Sequence, residues 1–86
     1  QRVGVSGQLV EQLEQSFGLT AAEARLAGHM LEGGGLQGYM RDRSVTIHAA
    51  RFLLKSIYAK TGVRNQAELT AYLREAPLGW SPLALG

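Results

Sequence analysis

The chain has no cysteine, which excludes a disulfide framework and any thiolate metal site, so stability has to come from packing. Its two prolines, Pro77 and Pro82, both lie in the tail. No hydrophobic run approaches the roughly 20 residues of a membrane span, and no signal peptide is visible. No stretch alternates as a strand would, and there is no internal repeat or low-complexity segment. No Ser-His-Asp set, carboxylate pair or reactive thiol is spaced for catalysis, so an enzyme is not expected. Histidines occur twice, as His29 and His48, on separate helices. Even with Glu32 beside His29 they fall short of the roughly three or four supported ligands that zinc requires. No metal or other cofactor is expected. "GGG" at 33–35 has no strand before it and no Gly-Lys-Ser/Thr after it, so it is an inter-helix turn rather than a phosphate-binding loop.

What is present fits one small domain of 86 residues, near the lower limit for folding without staples. The start at Gln1 suggests a piece of a longer protein, and a soluble, cytoplasmic fragment is the expectation. The net charge of +2 is modest, but it is unevenly spread. Residues 1–40 hold two arginines against four glutamates; residues 41–64 hold Arg41, Arg43, Arg51, Lys55, Lys60 and Arg64 against Asp42 alone. Such clustering is the footprint of a phosphate-binding surface, and a solvated face has the same look.

Local signals predict a helical chain. Leu9, Val10, Leu13 and Phe17 mark a short amphipathic helix ending near Gly18, a linker or dimer-contact helix. Thr20 with Glu23 three residues on forms a capping box, followed by an apolar stripe through Ala24, Leu26, Ala27, Met30 and Leu31 and a stop at Gly33. "LQGYMRDR" reads as about two turns weakened by Gly38. Thr46 caps the next helix, which runs to Thr61 with Gly62 as its stop, and Asn65 caps a last helix ending before Pro77. At about 100° per residue, Ala50, Leu54, Ile57 and Tyr58 share one side of helix 46–61. His48, Arg51, Phe52, Lys55 and Ala59 line the other. That helix buries one face and presents a basic one, and a short helix, a turn and such a helix match a helix-turn-helix.

From Leu19 to Leu69 the chain resembles the LuxR-type helix-turn-helix domain of bacterial transcription regulators. The resemblance is carried by Leu19-Thr20, Glu23, Gly33 and Val45-Thr46, and most of all by "LKSIYAKTGVRNQAEL", with Ile57, Tyr58, Lys60, Gly62, Val63 and Glu68-Leu69 in place. It implies an all-α, four-helix domain over 19–76, preceded by a linker with a short N-terminal helix (1–18) and followed by an irregular tail (77–86). The scaffold helix would be Leu36 to Arg41 and the recognition helix 46–61, entering the major groove of double-stranded DNA. Thr46, His48, Arg51, Phe52, Lys55 and Lys60 are the DNA-binding candidates. Arginine and lysine donate to guanine, and an aromatic edge meets a thymine methyl. Leu69, Tyr72 and Leu73 are the candidates for a homodimer contact, and an N-terminal sensing or receiver domain is an implied partner. The chain departs from the family pattern at Arg43, where a leucine is usual, at Gly35, Tyr39-Met40 and Ala49-Ala50, and at Phe52-Leu53. The Phe52-Leu53 pair, Arg43 and the glycine-rich scaffold helix motivate the alternative of a degenerate helix-turn-helix serving as a protein-interaction or dimerisation module.

Overall fold

The computed structural model describes residues 5–75, so the expectations for the tail and for the first four residues lie outside it. The described chain is all-helical: α1 (Gly7–Phe17), α2 (Ala21–Glu32), α3 (Gly35–Arg43), α4 (Ile47–Thr61) and α5 (Gln66–Glu75). Helix starts follow the capping chemistry. The Ser6, Thr20 and Thr46 hydroxyls accept from the backbone N–H three residues on, and Asn65 Oδ1 does the same for Glu68 N. Each satisfies a donor that the first helical turn leaves orphaned. Gly18, Gly33 and Gly62 close the first, second and fourth helices in the left-handed conformation.

Helix α2 is the hub: it packs against each of the other four helices. Leu26, Ala24 and Ala27 on it are fully buried, and around them gather Leu13 from α1, Ile57 from α4 and Leu69 and Leu73 from α5. Helix α1 is thus not a spacer, because Val10 and Leu13 join the same core. A glycine in mid-α2 makes room for the chain that leads into α1. A Cβ on Gly28 would lie 3.1 Å from both Val5 methyl carbons.

Helix α3 differs from its sequence expectation and from its neighbours. It is longer than Leu36 to Arg41, reaching from Gly35 to Arg43, and its N-cap is Gly34, with no side-chain hydrogen bond. It gives the buried core only Tyr39, with Leu36 and Met40 half-buried at its edge. Its attachment is instead polar. His29 on α2 is buried, its Nε2 lies 3.0 Å from Asp42 Oδ2, and its ring meets Tyr39 edge-on at 6.1 Å. Gly34 and Gly38 let α3 approach that imidazole, since a Cβ on Gly38 would stand 3.0 Å from His29 Nδ1. The turn to α4 passes through Ser44 at φ 54°, the one non-glycine residue with positive φ in the described chain.

The contact decides the effect of alanine at position 38. In a free helix Gly→Ala gains about 1 kcal/mol. Here the new methyl meets a ring held by Asp42 and Tyr39, and overpacking of that kind costs about 1–3 kcal/mol. Gly38→Ala is therefore expected to lower stability by about 1 kcal/mol in urea unfolding. A stabilised variant would show that the His29 ring yields.

Candidate nucleic-acid interface

Helix α4 carries the candidate site, and its position is set from both ends. At its N-terminus Thr46 Oγ1 accepts from Ala49 N at 3.2 Å, so the Thr46 hydroxyl is already engaged in capping. Inward, Ala50, Leu54 and Ile57 are buried against the core. Outward, His48, Ala49, Arg51, Phe52, Lys55 and Ala59 are all exposed. At 100° per residue they occupy one continuous arc, with Phe52 near its middle. Phe52 is 72% exposed, the most exposed large apolar side chain among the described residues.

The helix is anchored near its C-terminal end by a carboxylate from α2. Glu23 Oε1 accepts from Thr20 N at 2.9 Å, completing the capping box, and from Lys60 Nζ at 2.7 Å. Its Oε2 accepts from the Ser56 hydroxyl. Burial alone raises the Glu23 pKa, but the Lys60 and Ser56 hydrogen bonds, the Thr20 N–H and the Lys60 charge together outweigh it. The result falls from the usual 4.5 to about 2. Lys60, a DNA-binding candidate from sequence, thus has a protein partner. Ser56 and Lys60 sit four residues apart on one side of α4, but nothing local in the sequence ties that side to Glu23, 37 residues from Lys60.

Charge on the surface follows from these internal pairings. Among the described residues the acid–base side-chain contacts are Lys60–Glu23, an ion pair, and His29–Asp42, a hydrogen bond. Asp42, the sole acidic residue of the 41–64 segment, is thereby turned toward α2. Arg41, Arg43, Arg51, Lys55 and Arg64 are exposed and form no salt bridge among the described residues. The His29–Asp42 pair supplies two potential ligands, and no group of three or more His, Cys, Asp or Glu side chains converges among the described residues. No described helix is long and apolar enough to cross a membrane.

The three dimer candidates are separated by burial. Leu69 is 0% and Leu73 1% exposed, inside the core, which takes both out of reach of a second copy docking on this structure. Tyr72 is 40% exposed and packs on Phe17 with ring centroids 5.5 Å apart. It alone of the three presents surface. A comparison with known protein families, with characterised proteins and with solved structures gives no match.

The Glu23 site sets an acid limit on stability. A carboxyl whose folded pKa is depressed contributes its full share above the unfolded value near 4.5 and loses it as pH falls toward about 2. With allowance for the partly exposed Lys60, that share is about 2 kcal/mol. Urea unfolding from pH 6 to pH 2 is expected to show this decline, and Glu23→Gln to start lower and decline less. Equal pH slopes for the two proteins would refute it.

Proposed function

We propose that this chain is a DNA-binding output domain, similar to the LuxR-type domains of bacterial transcription regulators, with α3 and α4 as its helix-turn-helix. Helix α4 would lie in the major groove. The observation that carries the reading is the outer arc of α4, where Arg51 and Lys55 flank an exposed Phe52, with no acidic residue anywhere in the helix. A basic helical face of this kind suits the groove in width and in charge. Arg41 and Arg43 before the turn and Arg64 after α4 extend the positive surface toward phosphates on either side.

Under this reading the candidates divide by role. Arg51, Lys55 and His48 reach the DNA; Thr46 and Lys60 hold the helix that carries them. The domain is non-enzymatic, acts in the bacterial cytoplasm, and works as a homodimer reading two half-sites, governed by an N-terminal sensing or receiver domain. A second copy pairing through α5 meets Tyr72, beneath which Leu69 and Leu73 belong to the core. The exposure of Phe52 favours a second reading, a protein-interaction module on the same helix-turn-helix frame.

Binding to random duplex DNA and to a selected pool at about 50 and 200 mM salt separates the two. Salt-sensitive binding that enriches a two-part site is expected. Arg51→Ala and Lys55→Ala should each weaken it about tenfold, and a variant whose missing cation had paired with a phosphate should show a slope of log K against log salt shallower by about 1. Unchanged affinity in both variants, or no binding by folded protein at the lower salt, rejects DNA in favour of the interaction module.

A further inference from the structure

Phe52 is the feature of α4 that a basic face does not explain. A large apolar ring held in water loses the gain its burial would bring. The aromatic pairs of the described residues are Phe17–Tyr72 and His29–Tyr39, so Phe52 has no ring partner there. On the helix its arc neighbours include Ala49 and Ala59, both small and exposed, while His48 and Lys55 lie one turn before and one turn after it. The ring therefore stands clear at the centre of the arc, with cations beside it.

Resting on the DNA-binding reading, we infer that Phe52 is a specificity-determining residue that senses the C5-methyl group of a pyrimidine in the major groove. It selects thymine, and it accepts 5-methylcytosine in the same place.

The chemistry of the groove leaves few other matches for a benzyl group. Major-groove base edges present carbonyl and ring-nitrogen acceptors and amino donors, which phenylalanine cannot satisfy; the C5-methyl is their apolar element. Set against unmethylated cytosine, the ring would cover the amino donor without replacing its water, which costs free energy. Set against a methyl, it buries apolar surface on both sides. The flanking charges argue for the duplex over an apolar protein face. Arg51 and Lys55 complement phosphates, whereas lysine at the centre of a protein interface is disfavoured and would need a carboxylate on the partner.

The test uses the full chain and a duplex selected by it from a random pool. Each thymine of the site is replaced in turn by deoxyuridine, which removes the methyl and keeps the pairing. At one position per half-site the wild-type protein is expected to lose about fourfold to tenfold in affinity, the worth of one buried methyl group. Cytosine at that position should bind as poorly as or worse than deoxyuridine, and 5-methylcytosine should recover most of the loss. Phe52→Ala, a substitution at an exposed site, should keep its helical content and bind the thymine and deoxyuridine duplexes alike. If the wild-type protein binds DNA yet tolerates deoxyuridine at every position, the methyl-sensing role is wrong and the DNA-binding reading stands. If it binds no duplex at the lower salt, both fall. If deoxyuridine weakens wild type and Phe52→Ala equally, the methyl is read by another residue and the assignment to Phe52 is overturned.

Discussion

The arrangement depends on one buried carboxylate. Glu23 sits in the first turn of α2, the helix that touches all the others. Its two oxygens accept from the Thr20 backbone, the Ser56 hydroxyl and the Lys60 ammonium. Taking a charge out of water is costly unless its lone pairs are satisfied and a counter-charge is near. Both conditions are met, and meeting them requires two side chains from α4, one turn apart. The requirement is directional in a way that apolar packing is not. Leu54 and Ile57 hold α4 against the core, but rotation of the helix about its axis would break the Ser56 and Lys60 bonds before it exposed much apolar surface. The angle at which Arg51, Phe52 and Lys55 face outward is thus set by Ser56 and Lys60, which stand on the flank of α4 between the Phe52 edge and the buried face.

Helix α3 is held by a different balance. With Tyr39 as its one buried apolar side chain, it cannot be fixed by the hydrophobic effect alone. Glycines at 34 and 38 bring its backbone against the His29 ring, and Asp42 closes the contact from the far end. The glycines that weaken the helix locally are those that allow the approach. A loosely built element on propensity grounds is an attached one on tertiary grounds, and the attachment lies just before the turn leading to α4. Ser44, in the left-handed conformation at that turn, carries backbone strain that the surrounding helices must hold.

Legibility in the sequence follows the range of the interaction. The starts of α2, α4 and α5 were readable because their caps, Thr20 with Glu23, Thr46 and Asn65, act within three residues. The start of α3 was not, because Gly34 has no side chain to announce it. Long-range partners were invisible for the same reason: His29 and Asp42 are 13 residues apart, and Glu23 is 37 from Lys60. Nothing in local periodicity selects one such pair over another. Leu69 and Leu73 show a third kind of limit. An apolar pair four residues apart has the same pattern whether it faces its own core or a second chain, and only burial in the folded structure separates the two. The outer arc of α4 was legible as an arc because helical periodicity alone defines it.

The internal pairings and the outer surface are parts of one arrangement. The 41–64 segment carries a single acidic residue, and that residue is drawn inward by His29. Its cation nearest the end of α4, Lys60, is drawn inward by Glu23. Each clamp that fixes the α3–α4 unit therefore also edits the charge it shows. Asp42 is turned away from the basic surface, and Lys60 is set to hold the helix. What remains outside includes the positive charge of Arg41, Arg43, Arg51, Lys55 and Arg64, with the exposed Phe52 ring among it. A face that served only solubility would gain nothing from exposing phenylalanine there. On the proposed DNA-binding reading, Phe52 stands beside Arg51 and Lys55 on a helix whose rotation is fixed at its flank by Glu23, as a group that would meet one apolar feature within a largely anionic and polar partner.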